Sequence, residues 1–237
     1  MLDRRRIVAG LGSAAIATTT TNKLWAASIK PDEASALLVT DVQNCFLPGG
    51  SLAVKDGEQV VPVINRIAKG FSNVVMTQDW HTPGHVSFAS AHPGKKPFET
   101  VDLAYGKQVL WPDHCVQGTD GAALSGDLSI PQAELIIRKG FHQDVDSYSA
   151  FTEADGKTTT GLAAYLQARQ VKRLFVAGLA TDFCVAWTAL DARKAGFETY
   201  VIEDACRGID THGSLAKAWA DMAQAGVKRI QSGDIAV

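Results

Sequence analysis

Cys184 closes the run Gly178-Leu179-Ala180-Thr181-Asp182-Phe183-Cys184, where a β-branched apolar stretch gives way to a helical one. A thiol at a helix start meets free backbone N–H groups and the positive end of the helix dipole, both of which favour the thiolate. Thr181 or Asp182 can cap that helix. A nucleophilic thiol also needs a group to take and return its proton and gains from a nearby cation. Asp41 and Lys139, each at the end of an apolar run, are of those two types. A single cysteine is more often a buried small hydrophobe than a nucleophile. It is the convergence of thiol, carboxylate and ammonium that points to chemistry.

A second constellation is Asp79-x-His81, with His85 four residues later and His114 in Trp111-Pro112-Asp113-His114-Cys115. One carboxylate with two or three imidazoles suits zinc, iron or manganese and leaves positions open for water or substrate, as catalytic rather than structural sites do. His92, His142 and His212 stand alone in loops and read as solvated side chains.

Something must bring these residues together. From Ser35 onward the chain alternates apolar runs with amphipathic stretches. The spacing predicts strands at residues 36–40, 73–77, 134–138, 173–177, 199–202 and 227–230. Helices are predicted at 60–68, 160–168, 182–194 and 214–224. Residues 80–129, with Pro83, Pro93, Pro97 and Pro112, read as irregular. Strand then helix, repeated, means a parallel sheet of about six strands covered on both faces, a three-layer α/β/α domain. Ligands of such sheets sit outside the carboxyl ends of the strands. Asp41, Asp79 with His81, Lys139 and the run into Cys184 all stand at such ends.

Composition sets the boundaries. The 237 residues carry 23 Lys and Arg against 25 Asp and Glu, so no basic surplus exists to neutralise a phosphate backbone and nucleic acid is not an expected partner. Ahead of the domain, Arg4-Arg5-Arg6 precedes an apolar small-residue stretch from Ile7 to Ala17. It is shorter than the ~20 apolar residues of a bilayer span, so no stable membrane span is expected. An arginine pair before a weakly hydrophobic core resembles a twin-arginine export signal. Residues 1–28 are therefore expected to be a leader, cleaved near Ala26 or Ala27, and residues 29–237 a single domain. The protein is expected in the periplasm, or in the cytoplasm if the leader does not function. The four cysteines, Cys45, Cys115, Cys184 and Cys206, are widely spaced, and no disulfide scaffold is expected at this length. In an oxidising compartment Cys184 would have to avoid Cys45, whose place after Asp41 could bring it to the same cleft edge.

Five segments together carry a resemblance: Asp41-Val42-Gln43-Asn44, Gln78-Asp79-Trp80-His81, Trp111-Pro112-Asp113-His114-Cys115-Val116-Gln117, Val145-Asp146-Ser147-Tyr148-Ser149-Ala150-Phe151, and the run from Gly178 to Val185. In order and without a large gap, they resemble the nicotinamidases of the isochorismatase-like cysteine hydrolases. The resemblance implies a six-stranded parallel sheet and hydrolysis of nicotinamide to nicotinate and ammonia through a cysteine thioester, with related aromatic amides such as pyrazinamide also accepted. It implies a triad of Asp41, Lys139 and Cys184, and a divalent metal, zinc first, on Asp79, His81 and His114. His85 matches a histidine that ligates or lies beside the metal in some members. The resemblance also implies a cis peptide at Leu179-Ala180, which turns the amides of Ala180 and Cys184 toward the substrate oxygen. Oxyanion donors of this kind are worth roughly 3 kcal/mol each in other enzymes. Phe46, Trp111 and Tyr148 match aromatic positions around the pyridine ring.

Two features depart from the family pattern. Cys45 stands where an acidic residue usually follows Gln-Asn, and the leader points to scavenging of external amide rather than cytoplasmic NAD salvage. Two other readings compete. Another cysteine amidohydrolase of the superfamily, acting on a carbamoyl or ureido amide, would share the triad without needing the metal ligands. A non-enzymatic metal-binding protein would need the histidines and have no use for Lys139 or Cys184.

Overall fold

A computed structural model of the chain describes residues 28–237. In chain order the main elements begin with strand β1 (Ser35–Thr40), helix α1 (Val60–Ile67) and strand β2 (Asn73–Asp79). A two-stranded hairpin, β3 (Thr100–Leu103) with β4 (Gly106–Val109), precedes β5 (Leu135–Lys139) and α2 (Leu162–Ala168). Then come β6 (Arg173–Leu179), α3 (Ala186–Lys194), β7 (Glu198–Arg207), α4 (Ser214–Gln224) and β8 (Lys228–Ile230).

Six strands form one sheet in the order β5-β2-β1-β6-β7-β8. Each pair between neighbours is parallel. Alternation along β1 shows why both faces are covered. Leu37 and Val39 pack with Val60, Ile64 and Ile67 of α1 on one face. Ala36 and Leu38 pack on the other with Leu162 and Leu166 of α2, Ala189 of α3 and Met222 of α4. With apolar contacts on both sides, the strands read as continuous hydrophobic runs, which is why periodicity located them.

Three expectations change. The region read as irregular holds the β3/β4 hairpin, whose Val101 and Leu103 are only half-buried while their neighbours are exposed, so its alternation is weak. The helix expected from 182 begins instead with a π turn over Thr181–Val185, and regular α-helix starts at Ala186. Strand β7 runs five residues beyond 202, through Glu203 and Asp204, which apolar patterning could not include; its register against β6 jumps between Val176 and Gly178.

The cysteines also differ from expectation. Cys45 is bonded to Cys115, 70 residues away, with Cα atoms 5.7 Å apart, while Cys184 and Cys206 are free. Cys45 does approach the cleft edge, but its partner is the loop of His114 rather than Cys184. The predicted leader lies almost wholly in residues 1–27, outside the described residues. Among the described residues, no helix is long and apolar enough to cross a membrane.

Candidate active site

The sheet gathers the predicted triad at its carboxyl edge. Thr40, the last residue of β1, pairs with Gly178 of β6, and Asp79 at the end of β2 pairs with Lys139 at the end of β5. Gly178 makes this junction possible: a Cβ there, at φ +121°, would lie 2.0 Å from the Thr40 carbonyl oxygen. Asp41 follows β1, and Cys184 lies in the π turn that follows β6 and Ala180.

Lys139 sits fully buried between two carboxylates. Its ammonium donates to Asp79 Oδ1, to the Ser147 carbonyl at 3.0 Å and to Cys184 Sγ at 3.4 Å. Asp41 Oδ2 lies 2.8 Å from Nζ in a fully buried ion pair. A carboxylate oxygen held against a cation and beside a thiol is placed to exchange a proton with that thiol. Carboxylate oxygens of Asp41 and Asp79 and the Cys184 sulfur all lie within 4.8 Å of one another.

The electrostatics correct one expectation. Burial, only partly offset by Lys139, pushes the Cys184 thiol well above its usual range, and the two nearby carboxylates push the same way. One ammonium shared by two carboxylates leaves no surplus positive charge for the sulfur. Burial and the carboxylates thus oppose the thiolate that Lys139 favours. Burial also raises the Asp41 carboxyl, against the pull of Lys139. Burial acts to raise Asp79 too, but the charges of Lys139 and His81 overcome it and hold this carboxyl well below the usual carboxylate range. Lys139 stays protonated because both carboxylates outweigh the cost of burying its charge.

The metal-type residues converge beside the triad. Asp79 Oδ2 lies 3.6 Å from His81 Nε2 and 3.7 Å from His114 Nε2. Each imidazole has its other nitrogen against a backbone carbonyl, His81 Nδ1 at 2.8 Å from Gly140 O and His114 Nδ1 at 2.9 Å from Pro112 O. A carbonyl can only accept, so both Nδ1 atoms carry a hydrogen and both Nε2 atoms face Asp79. Nε2 is therefore the nitrogen each imidazole can offer a metal ion, with Nδ1 fixed by an outer-shell bond as in other metal sites. Gly140, at φ +64°, is needed for the first of these, since a Cβ would fall 2.6 Å from His81 Cε1.

His85 is placed differently. Its Nε2 donates to the carbonyls of His142 at 2.9 Å and Val145 at 3.2 Å, and its Nδ1 accepts from Ser87 Oγ at 2.8 Å. Both nitrogens are thus engaged by protein. It groups with His81 and Asp146, not with the Asp79, His81 and His114 set.

Phe46, Trp111 and Tyr148 line one narrow cavity with Asp79, His81, His114, Ala180 and Cys184. Trp111 Nε1 donates to the Tyr148 hydroxyl at 3.0 Å, and the Trp111 ring meets Phe183 edge-on at 4.8 Å. The Leu179–Ala180 peptide is cis.

A family model described as the isochorismatase domain matches residues 35–234. The chain belongs to the isochorismatase family. It is 58% identical over 202 residues, 85% of this chain and 94% of the relative, to a protein of Acinetobacter baylyi named nicotinamidase. Among solved structures of this isochorismatase fold, a nicotinamidase and pyrazinamidase of Acinetobacter baumanii is 62% identical, with a TM-score of 0.86 over 86% of this chain and 99% of that one. A pyrazinamidase of Pyrococcus horikoshii in complex with zinc is 35% identical, with a TM-score of 0.68 over 83% and 98% of the two chains.

Several residues of this isochorismatase-family site escaped the sequence reading. Leu52, Asp146, Phe183 and Ile209 complete the cavity wall. Ile209 lies just past the end of β7, so reading that strand to Arg207 would have placed it among the strand-end residues. Gln43 clamps the Asp79 main chain: its Nε2 donates to Asp79 O at 2.9 Å and its Oε1 accepts from Asp79 N at 2.8 Å. Asp182, expected with Thr181 as a cap, makes no capping bond; its carboxylate instead accepts from the amides of Ile209 and Asp210 and from Ser214, tying the nucleophile's turn to the Ile209 loop. No sequence spacing signals these long-range bonds.

Proposed function

We propose that the protein hydrolyses nicotinamide to nicotinate and ammonia through a thioester on Cys184, and that it also accepts pyrazinamide. The observation that carries this reading is the buried Asp41–Lys139 ion pair beside Cys184, opening on a cavity walled by aromatic rings. The similarity to proteins named nicotinamidase and pyrazinamidase supports the substrate class. A small carbamoyl or ureido amide would leave the Phe46, Trp111 and Tyr148 walls without a ring to pack against.

In this reading the Cys184 proton passes to Asp41 Oδ2 as the sulfur bonds to the carboxamide carbon, and the carbonyl electron pair moves onto oxygen. The amides of Ala180 and Cys184 hold that oxyanion. The pair returns, the C–N bond breaks, and Asp41 gives its proton to the departing nitrogen, so ammonia leaves and a thioester remains. Water then attacks the thioester while Asp41 takes its proton. The C–S bond breaks, and Cys184 recovers the proton as nicotinate forms. Lys139 keeps Asp41, Asp79 and the sulfur in one fixed arrangement throughout. The donor set of Asp79, His81 and His114, with both imidazole Nε2 atoms turned inward, fits a divalent ion, and we assign zinc; when bound it supplies a Lewis-acidic anchor for the pyridine nitrogen. His85 supports His81 from behind rather than completing the set.

The deciding experiment is ammonia release from nicotinamide by purified protein, with and without prior chelation and zinc return. Release that survives full metal removal would take the metal out of the reading, and no release from the zinc-loaded protein would end it.

For residues 1–28 we propose a twin-arginine export leader, with residues 29–237 as the working domain in the periplasm. Fusing residues 1–28 to a reporter active only when exported folded should give signal, and changing Arg4, Arg5 and Arg6 to Lys should abolish it. A silent reporter with the intact leader returns the enzyme to the cytoplasm.

A further inference from the structure

Asp41 is gripped at both ends by a residue that no motif singled out. Thr77, on β2 and fully buried, donates from its hydroxyl to Asp41 Oδ1 at 2.5 Å and accepts from the Asp41 backbone N–H at 3.1 Å. Asp41 stands at φ +48°, a left-handed conformation that non-glycine residues adopt only sparingly. The bond to its N–H helps hold it there. The bond to Oδ1 has a chemical consequence. A hydroxyl has one hydrogen, and with its oxygen already accepting from the main chain, that hydrogen goes to the carboxylate. Oδ1 is thereby occupied, while Oδ2 is the oxygen turned to Lys139, 2.8 Å from Nζ, on the side of Cys184.

We propose that Thr77 is a positioning residue for the base: by saturating Oδ1 it makes Oδ2 the one oxygen of Asp41 that exchanges a proton with Cys184. This rests on the amidase reading above. Without the hydroxyl, the carboxylate is free to rotate about χ2 and turn either oxygen to Lys139. The productive orientation then becomes one of several. Thr77 does not line the cavity, so substrate binding is untouched by its loss. It shares a face of β2 with Asp79, two residues on, but makes no bond to the imidazoles of the metal-type set.

The test pairs Thr77→Val, which keeps the shape and removes the hydroxyl, with Thr77→Ser, which keeps the hydroxyl. In the valine variant kcat for nicotinamide should fall about 10- to 100-fold, as when an outer partner of a catalytic group is lost. KM and zinc content should not change, and the serine variant should stay within about threefold of wild type, the direction expected when the hydroxyl is what matters. Alkylation of Cys184 by iodoacetamide, which also needs the thiol proton removed, should slow in the valine variant and recover in the serine variant. Valine turnover within about twofold of wild type overturns the proposal. So does an equal loss in both variants, or a loss that comes with raised KM or missing zinc, because packing alone would produce it. If the valine variant does not fold, Thr77→Ala carries the same comparison with serine. Wild-type protein that releases no ammonia from nicotinamide defeats the amidase reading, and the alkylation rates then still decide the role of Thr77.

Discussion

The two halves of the site are built differently. Asp41 follows β1 and Lys139 ends β5, two strands apart in one sheet with β2 between them, and Cys184 lies one short turn beyond β6. The sheet ladder itself sets their separations. Of the metal-type residues only Asp79 lies on a strand, while His81 and His114 belong to loops. Those loops are held by ties between distant segments. A Gly140 carbonyl orients His81, the His81 amide bonds to Cys115 O, and the Cys45–Cys115 bond sits between Phe46 and His114, whose rings are 5.5 Å apart in the cavity wall. The triad is rigid because the fold is; the metal end is rigid because it is tethered. Perturbing the tethers should therefore spare the triad, whereas perturbing the triad should leave the tethers intact.

The largest effect is expected for Cys184→Ala. Loss of the nucleophile should lower kcat by about 10⁴-fold or more, with zinc content and thermal unfolding near wild type. Retained amidase activity would remove Cys184 from the chemistry. A thioester of nicotinoyl mass, trapped by rapid quench on wild type and missing from the variant, is the direct reading.

Lys139→Met comes next. It leaves Asp41 and Asp79 buried without their cation, and breaking one side of a buried ion pair costs about 3 to 5 kcal/mol. The variant should be inactive and should unfold at markedly lower denaturant. Wild-type stability would mean that the buried carboxylates take up protons with little cost, and that Lys139 contributes little to holding the edge together.

The contrast between the halves also explains what the amino-acid order revealed. Asp41, Asp79, Lys139 and Cys184 were legible because a covered parallel strand is an uninterrupted apolar run, and the residues just past its end are easy to find. The hairpin from Thr100 to Val109 was not, because β3 alternates over only four residues and β4 carries Gly106, Lys107 and Gln108 in succession, too short and too polar a pattern to read as strands. Nor was the Cys45–Cys115 bond, since only the folded chain brings the segment after β1 against the loop before Val116. The balance of charge around Cys184 was only half legible for a related reason: a helix start and a lysine are visible in sequence, but the second carboxylate competing for that lysine is a product of the β2–β5 register.

The tethered half is tested by Cys45→Ser with Cys115→Ser. Opening a 70-residue loop should lower stability by about 2 to 4 kcal/mol. Zinc affinity should weaken as His114 loses its anchor, while the rate of Cys184 alkylation in metal-free protein stays near wild type. Equal loss of zinc binding and thiol reactivity would show that the two halves are not mechanically separate.

The smallest effect separates a ligand from its support. His81 and His85 have ring centroids 4.3 Å apart, but the nitrogens of His85 already face Ser87, His142 and Val145. His114→Ala removes one of three donors and should abolish stoichiometric zinc. His85→Ala removes only what His81 leans on, and should weaken zinc binding about tenfold, toward the low end for a lost outer-shell partner. Zinc content after dialysis against graded chelator measures both. If the His85 variant loses zinc as completely as the His114 variant, His85 turns to the metal when the ion is present. The bonds to His142 and Val145 are then the resting position of a fourth ligand, and the tethered half of the site moves on metal binding while the triad does not.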